Sequence, residues 1–399
     1  MVIERWKFAK ILRWLLIMNK KVMFFSRDPG GANTVAPLYK KLKIKGYDVK
    51  IFGKDTALNK YIQYGVCGID ITSRVKTISQ DEIESFLREE APDFLITGTS
   101  ADDFTEKYLW KASEKLGIKS FAILDQWVNY GVRFSKYSIN ELNEYEKMKE
   151  HDFLPFRILV MDEYAKEQTV KEGIEENRIL VSGQPYFDYL IKKQENLQEN
   201  IIKAYRDGIG CNENEFLITY VSEPISKIYD EGDNSEHYLG YTERTIFKQF
   251  FNVLNNVVED SEKKIKLIIR LHPKENENNY NDIIDLLYSK NISIKVDKKS
   301  DGFNLMCASD LICGMSSMFL IEAAYLQRAV LSIQIGLKRE NPFILDKKGF
   351  LKSSLSEEEV DIKLRKILTD KNTGKCAFNV EKGAVEKVIN FMEEILWKF

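Results

Sequence analysis

The residue types best suited to chemistry follow an apolar, strand-like run, Leu267–Ile269. After this run the chain carries Arg270, His272, Pro273 and Lys274. Arginine and lysine bring positive charge to a phosphate, and histidine can bring either charge or a proton. A lone histidine is usually structural, but this one follows a predicted strand and has cationic neighbours on both sides. We therefore predict that His272 contacts a ligand.

A second apolar run, Leu311–Cys313, is followed by Gly314 and then by Ser316 and Ser317, directly before a helix-like segment. A serine pair at a helix start offers hydroxyl and backbone N–H groups to a phosphate, and the helix dipole adds to the attraction. Glu322 lies on the same predicted helix. It could accept hydrogen bonds from a ribose or brace the loop, and both interpretations stay open.

A third strand end in the same half of the chain carries Ser222 and Glu223, which follow the predicted strand Phe216–Val221. Parallel strands present their carboxyl ends at one edge of a sheet, and ligands bind there in open α/β folds. We therefore expect these two residues beside the other two segments, where Glu223 could hold the hydroxyl groups of a ribose or another sugar. The three segments predict one phosphate-binding site.

In the first half, a glycine-rich turn after the predicted strand Lys21–Phe25 contains Asp28, Gly30, Gly31 and Asn33. Glycine permits positive φ angles and a close approach of the backbone to a ligand. The spacing differs from GxGxxG and does not predict a dinucleotide fingerprint. The alternative is a tight turn in which Asp28 or Asn33 caps the following helix.

Another predicted strand, Ser120–Leu124, is followed by Asp125, Gln126 and Trp127. An aromatic ring beside polar side chains is typical of a sugar-binding site. The alternative is that Trp127 packs against the face of its own domain, and the sequence favours neither.

The elements that must position these residues alternate between strand-like and helix-like segments. The alternation pauses at a polar stretch and restarts at Phe216. This βαβ rhythm predicts mainly parallel sheets covered by helices on both faces. We predict an N-terminal extension at 1–18, a first domain at 19–188, a connection at 189–215, a second domain at 216–379 and a C-terminal amphipathic helix at 380–399.

The composition is that of an ordinary globular protein. The 399 residues exceed what one core usually supports, and 44% of them are apolar and 30% charged. A net charge of -2 gives no field that would attract nucleic acid. The 5 cysteines form no CxxC pair and indicate reduced thiols in a cytosolic protein, and 3 histidines argue against a histidine-built metal site.

Residues 1–18 combine basic side chains with Trp6, Leu12 and Trp14, a pattern typical of a helix that lies on an anionic membrane surface. The apolar run Leu15–Met18 is too short to span a membrane. Two interpretations compete: the segment packs on its own protein, or the chain begins at Met18. We expect a cytoplasmic protein, with peripheral contact at the inner face of a membrane as an alternative.

The motifs together resemble a known group of enzymes. Two Rossmann-like halves, with His272-Pro273 after one strand and Ser316-Ser317 before a helix, are similar to GT-B glycosyltransferases. The nearest resemblance is to bacterial sialyltransferase-like, polysialyltransferase and CDP-glycerol transferase enzymes, which pair an HP motif with an SS motif. A more distant one is to the non-hydrolysing UDP-N-acetylglucosamine 2-epimerases. The chain lacks their His-Arg-Arg-Glu-Asn segment and has Ser316-Ser317 in place of Ser-Gly-Gly.

This resemblance implies an α/β fold of the GT-B type, with two Rossmann-like domains whose mainly parallel sheets face a central cleft. It implies inverting, metal-independent transfer of a sugar from a CMP-, CDP- or UDP-linked donor to a glycan, lipid or protein acceptor, in surface polysaccharide or glycoconjugate synthesis. The nucleotide sugar would be a substrate, so no cofactor is expected. Two alternatives stay open: an epimerase or hydrolase of a nucleotide sugar, and a nucleotide- or glycan-binding module without catalysis.

Carried over residue by residue, the resemblance assigns His272, Ser316 and Ser317 to the nucleotide phosphate. A carboxylate of the first domain would accept the proton of the acceptor hydroxyl. We place Asp28 first for this role, because its glycine-rich turn could approach the cleft, and Asp125 second. The acceptor or sugar site would be lined by Gly30, Gly31, Asn33, Gln126 and Trp127.

Overall fold

The structure is a computed structural model that describes residues 20–232, 235–261, 263–378 and 382–397. The predicted amphipathic segment at 1–18 lies outside the described residues. The chain divides into two compact units. The described residues of Met1–Leu190 and Val380–Phe399 form the first unit, and those of Ile191–Asn379 form the second.

Each unit is built on one parallel sheet. The strands of the first are β1 Lys21–Ser26, β2 Asp48–Gly53, β3 Ile69–Asp70, β4 Phe94–Thr97, β5 Lys119–Ile123, β6 Arg157–Val160 and β7 Ile179–Val181, and those of the second are β8 Glu215–Val221, β9 Lys264–Arg270, β10 Ile292–Asp297, β11 Leu311–Gly314 and β12 Val330–Ser332. The first sheet has the order β3-β2-β1-β4-β5-β6-β7, and the second β10-β9-β8-β11-β12. The pairings are parallel in both sheets, as the βαβ rhythm predicts.

Helices follow most of the strands. They are α1 Pro29–Lys45, α2 Thr56–Gln63, α3 Gln80–Glu90, α4 Phe104–Leu116, α5 Leu142–Met148, α6 Glu163–Lys171, α7 Pro185–Glu195, α8 Glu199–Gly208, α9 Ile225–Tyr229, α10 Glu243–Ser261, α11 Asn281–Ile284, α12 Gly302–Ala308, α13 Met318–Tyr325, α14 Ile344–Lys347, α15 Glu357–Thr369 and α16 Ala384–Trp397. The side chains of Ser79, Asp103 and Ser356 accept early backbone N–H groups of α3, α4 and α15, which fixes where these helices start. Within the described ranges, none of the helices has the length and apolar character needed to cross a membrane.

The central strands are buried on both faces. Phe24 of β1 and Leu95 of β4 are fully buried in the first unit, as are Ile218 of β8 and Leu267 of β9 in the second. Strands covered by helices on both sides have no polar face, so their sequences are continuous apolar runs. These runs end at the carboxyl edge of each sheet, where the polar side chains begin.

The predicted connection at 189–215 is more regular than its polar composition suggests. It consists of the end of α7, all of α8 and the approach to β8. Ile202 and Tyr205 of α8 pack on a cluster that includes Leu217, Ile268 and Leu305. This segment therefore contributes to the core of the second unit.

The C-terminal helix α16 belongs to the core of the first unit. Val388, Ile389 and Met392 share a buried cluster with residues of α1. The carboxylate of Glu393, which is 1% exposed, lies 2.8 Å from the ammonium group of Lys45. The chain thus returns to its first unit after completing the second.

Gly314, at the end of β11, is a position where only glycine fits. A Cβ atom there would lie 2.6 Å from the carbonyl oxygen of Val221 on the neighbouring strand β8. We expect Gly314→Ala to lower the free energy of unfolding by about 1–3 kcal/mol, because backbone in a central strand pair cannot move aside cheaply. Urea denaturation measures this change.

Gly208→Ala is the matched control. A Cβ atom at Gly208, the last residue of α8, would meet nothing within 4 Å. Alanine is the better helix former, so we expect this variant to be neutral or stabilised by up to about 1 kcal/mol. If the two substitutions changed the free energy of unfolding equally, the close approach to Val221 would not explain why position 314 is a glycine.

Candidate functional site

The carboxyl edge of the second sheet brings the three predicted segments together. Strand β8 lies between β9 and β11, so Ser222, His272 and Ser316 follow adjacent strands. The backbone N–H of Ser222 donates to the carbonyl oxygen of Arg270 at 2.8 Å, which extends the pairing of β8 and β9 beyond the end of β8. The segments are therefore neighbours at one edge.

The Glu223 carboxylate joins the end of β8 to the turn after β11. Its Oε2 accepts the backbone N–H of Ser316 at 2.7 Å, and its Oε1 accepts the Ser316 hydroxyl at 3.2 Å. Burial raises the pKa of Glu223 to about 7, although hydrogen bonds from Ser316 and from the Ser317 backbone favour the charged form. The donors predicted to hold a phosphate thus hold a carboxylate of the chain itself.

Ser317 also caps helix α13. Its hydroxyl oxygen accepts the backbone N–H of Phe319 at 3.2 Å and so caps the helix. Glu322 lies further along the same helix and is partly buried. The turn therefore combines a helix N-terminus, whose dipole attracts negative charge, with the Ser316 hydroxyl, which already binds the Glu223 carboxylate.

His272 presents a neutral imidazole. Its Nδ1 accepts the backbone N–H of Lys274 at 3.1 Å. Burial, aided by the positive charges of Lys274 and Lys298, lowers the pKa of His272 to about 4. A neutral imidazole that accepts at Nδ1 carries its hydrogen on Nε2, a tautomer inferred from this hydrogen bond. Near neutral pH, His272 therefore offers an N–H donor and no positive charge.

Ser222, predicted to bind a nucleotide, braces the loop instead. Its hydroxyl lies 2.6 Å from Glu275 Oε1 and 2.6 Å from the Tyr280 hydroxyl, and the residue is 1% exposed. Glu275 Oε2 in turn accepts the backbone N–H of His272 at 2.7 Å. This chain of hydrogen bonds fixes the His272 loop against β8, and it leaves Ser222 buried with its hydroxyl bonded inside the protein.

Arg270, predicted to supply charge to a phosphate, pairs with Asp297 at the end of β10. Burial alone would raise the pKa of Asp297, but hydrogen bonds from Ser300 and Arg270 lower it. The charge of Arg270 is therefore compensated inside the protein, because its partner comes from the neighbouring strand. Pro273 and Lys274 remain exposed on the loop surface.

In the first unit, Gly30 and Gly31 lie in the first turn of α1 and not in a turn before it, and they pack tightly against the neighbouring strand ends. A Cβ atom at Gly30 would lie 1.9 Å from Asp125 Oδ2, and one at Gly31 would lie 3.2 Å from the Cα of Gly98. Close packing thus accounts for both glycines without a ligand. Asp28 lies at the start of α1 without capping it, with its side chain 40% exposed and its Oδ1 3.1 Å from Nη1 of Arg27.

Asp125 lies in a buried ion pair. Its Oδ1 accepts from Nη1 of Arg133 at 2.8 Å, and the two residues are 9% and 6% exposed. The same nitrogen of Arg133 donates to the carbonyl and hydroxyl oxygens of Thr99 at 2.5 and 2.9 Å. Each of the two carboxylates therefore has one oxygen beside an arginine, but Asp28 is open to solvent and Asp125 is buried.

The other residues predicted to line an acceptor site have partners within the protein. Trp127 is 5% exposed, and its Nε1 donates to Oδ2 of Asp162 at 2.9 Å. Asn33 Oδ1 accepts the hydroxyl of Tyr64 at 2.7 Å. The structure thus favours the packing interpretation of Trp127, and Asn33 does not cap α1. Gln126 is partly buried.

Glu106, near the start of α4, is a candidate that the sequence analysis missed. It is 1% exposed; its Oε2 accepts the backbone N–H of Ser100 at 2.7 Å, and its Oε1 has no hydrogen-bond partner among the described residues. Burial raises the pKa of Glu106 to about 8, and the charges of Asp28, Asp103 and Asp125 act in the same direction. The sequence contains only a helix-start pattern, with Asp103 three residues before Glu106.

The titration of Glu106 predicts how stability depends on pH. The pKa is raised from 4.5 to about 8, so the folded protein keeps a proton across this window that the unfolded chain releases. The free energy of unfolding should therefore fall as pH rises through the window. Glu106→Gln resembles the protonated acid and removes the titration. The free energy of unfolding of this variant, measured by urea denaturation between about pH 5 and about pH 8, should therefore fall less steeply with pH than that of the wild type.

Glu90→Gln is the control for this measurement. The Glu90 carboxylate is also buried, but it lies 2.6 Å from Lys50 and 2.9 Å from Arg74. Removing a carboxylate that has two cationic partners should lower stability at neutral pH. If the free energy of unfolding of Glu106→Gln depends on pH as steeply as that of the wild type, Glu106 is not the source of the pH dependence.

Comparison with known proteins gives matches only at the level of structure. No family model matches the chain, and no curated protein matches it. The UDP-GlcNAc 2-epimerase from Neisseria meningitidis is similar, with a TM-score of 0.63, 17% identity and coverage of 94% of this chain and 100% of that one. The UDP-GlcNAc 2-epimerase from Methanocaldococcus jannaschii has a TM-score of 0.64, 18% identity and coverage of 94% and 99%.

A glycosyltransferase from Rickettsia africae is also similar, with a TM-score of 0.59, 15% identity and coverage of 95% of this chain and 99% of that one. At these identities the likeness concerns the fold. The epimerases, which the motifs indicate as the more distant resemblance, are among the structures that share it. The chain therefore has the α/β fold with two parallel-sheet units, of the GT-B type, that its sequence predicts.

Proposed function

We propose that this protein binds a nucleotide-activated sugar at the carboxyl edge of its second sheet and transfers the sugar to an acceptor. The observation that carries the proposal is the turn at Ser316 and Ser317, at the start of a helix. There the backbone N–H and the hydroxyl of Ser316 already bind a carboxylate, that of Glu223. His272 adds a neutral N–H donor from the end of β9, which lies on the other side of β8 at the same edge of the sheet. Similar structures from Neisseria meningitidis and Methanocaldococcus jannaschii were determined with UDP-GlcNAc, which supports a nucleotide sugar as ligand.

The chemistry of the donor side follows from these donors. When the bond between the sugar and the phosphate breaks, its electron pair stays on the phosphate oxygen and negative charge grows there. Donors held in place before the reaction stabilise that charge without having to reorganise. Ser316, Ser317 and the Nε2–H of His272 would bind the departing phosphate in this way. The network from His272 through Glu275 to Ser222 would keep the imidazole in position.

The acceptor side requires a base in the first unit. In the proposed step, a carboxylate accepts the proton of the acceptor hydroxyl while the hydroxyl oxygen bonds to the sugar carbon, which inverts the configuration there. Asp28 suits this role better than Asp125, since its side chain is 40% exposed, whereas Asp125 is buried against Arg133. Asp125 would then help to shape the loop that carries Asp28, through its contact with Gly30.

An epimerase or hydrolase of a nucleotide sugar is the second candidate. The observation in its favour is that the similar structures include UDP-GlcNAc 2-epimerases that cover nearly the whole chain. An epimerase or hydrolase needs no acceptor. Incubation of the pure protein with a donor alone therefore separates the candidates, because conversion without an acceptor would favour this second function over transfer.

We expect nucleotide binding to depend on His272. A thermal-shift panel of CMP, CDP, UDP, GDP and dTDP should identify a cytidine or uridine nucleotide that stabilises the protein. His272→Ala should weaken binding of that nucleotide by about tenfold or more, since a hydrogen bond to a charged group contributes about 1.5–3 kcal/mol. His237→Ala, which changes another histidine of the second unit, serves as the control. Wild-type affinity in His272→Ala would exclude a phosphate contact.

We expect Asp28→Asn to abolish transfer, because the nearly isosteric amide cannot accept the proton. Nucleotide affinity and stability should stay at wild-type levels, since the donor site lies in the second unit. Radiolabelled-sugar transfer and nucleotide titration measure the two effects separately. Asp125→Asn is the comparison: if it is inactive while Asp28→Asn remains active, the roles are reversed. If both variants turn over normally, neither carboxylate is the base.

A further inference from the structure

We infer that Glu223 takes up a proton when the Ser316–Ser317 turn binds a phosphate, so that ligand binding at this edge is linked to pH. The inference rests on the proposed function and deepens it, because it concerns how the same site admits its ligand. Without a ligand, the Glu223 carboxylate binds the donors that a phosphate would use. Its position in the sequence suggests a different role, the binding of a sugar.

The geometry creates a competition between two anions. The Glu223 carboxylate binds both the backbone N–H and the hydroxyl of Ser316, at 2.7 and 3.2 Å. A phosphate at the start of α13 would need these same donors. Two negative groups cannot share them without strong repulsion, so the carboxylate must leave or become neutral.

Leaving is difficult for this residue. Glu223 follows Ser222, whose backbone and hydroxyl are both bonded, to Arg270 and to Glu275. On its other side come Pro224 and Ile225, and both are buried. The backbone is thus fixed on either side, so the carboxylate could leave the turn only through a change of side-chain rotamer that gives up both hydrogen bonds to Ser316.

Protonation resolves the competition. One proton from solvent converts the carboxylate into a carboxylic acid, which can donate an O–H to a phosphate oxygen while the phosphate receives the N–H groups of Ser316 and Ser317. No other covalent bond forms or breaks, and the phosphate replaces Glu223 as the acceptor of the Ser316 donors. Burial already raises the pKa of Glu223 to about 7 without a ligand, and a phosphate beside it would raise that pKa further.

Glu223 is the group expected to respond, because its carboxylate is bonded to the Ser316 donors, although burial raises the pKa of Glu275 as well. Glu275 adds negative charge and favours the protonated form. Burial lowers the pKa of His272 to about 4, so this ring is neutral at neutral pH. The tyrosines that interact electrostatically with Glu223 have a pKa raised by burial, and they stay neutral as well: Tyr220, Tyr229 and Tyr241.

The sign of the pH dependence follows from this shift. Below about pH 7 the free protein already holds the proton, so affinity should be constant. Above this value binding must take up a proton from solvent, so affinity should fall by up to about tenfold for each pH unit. The fall would end at the higher pKa of the complex.

The test uses nucleotide-linked probes whose phosphodiester groups do not titrate near neutral pH: UDP-N-acetylglucosamine, CDP-glycerol and CMP-N-acetylneuraminate. Titration calorimetry of the full chain in two buffers with different heats of ionisation gives the number of protons exchanged. We expect wild-type protein to take up close to one proton at about pH 8.5 and almost none at about pH 6. We expect Glu223→Gln to take up none at either pH, with an affinity that no longer depends on pH.

Glu243→Gln is the matched control. The Glu243 carboxylate binds the backbone N–H and the hydroxyl of Ser226, both at 2.9 Å, in the same two-point arrangement. This variant should keep the wild-type proton uptake. His272→Gln tests whether the imidazole takes up the proton in place of Glu223. We expect this variant to keep the wild-type proton uptake.

Each outcome has a distinct meaning. Binding by the wild type without proton uptake, or uptake that persists in Glu223→Gln, would overturn the inference and leave the proposed function standing. Absence of binding by all three probes at every pH would overturn the proposed function and the inference with it. The wild-type measurement decides the point even if Glu223→Gln does not fold.

Discussion

The hydrogen bonds between Glu223 and Ser316 join two central strand ends of the second unit, and the candidate site depends on them. They hold the turn before α13 in a conformation whose N–H groups converge on one negative group. A helix start without a partner would leave those donors unsatisfied. A carboxylate of the protein itself thus holds the turn in a conformation that suits an anion. Pre-formed donors of this kind lower the reorganisation that binding requires.

The positions of the site segments could be predicted because parallel strands impose them. Runs such as Leu267–Ile269 and Leu311–Cys313 are apolar on both faces, which marks buried strands, and polar residues begin where each run ends. Once the sheets are parallel, these ends must share an edge. Helix α15 also carries a start signal in its sequence: Ser356 is followed by Glu359, and apolar residues recur at helical spacing from Val360 onward.

The roles of individual side chains could not be predicted in the same way, because they depend on partners distant in sequence. Arg270 looked available for a phosphate, but its partner Asp297 comes from the next strand of the sheet. Glu106 stands in an ordinary helix-start pattern, and only its complete burial makes it unusual. Trp127 suited both a sugar site and a packed interior, and its contact with Asp162 favours the second. Spacing reports which element a residue lies on, not which atoms surround it.

The central claim is that the turn at Ser316 and Ser317 binds the phosphate of a nucleotide. A crystal structure with the nucleotide that stabilises the protein most tests this claim directly. The account predicts a phosphate oxygen within about 3 Å of the backbone nitrogens of Ser316 and Ser317, with Nε2 of His272 donating to the same group. It also predicts that Glu223 no longer accepts the Ser316 N–H. A nucleotide bound elsewhere, with the contact between Glu223 and Ser316 unchanged, would contradict it.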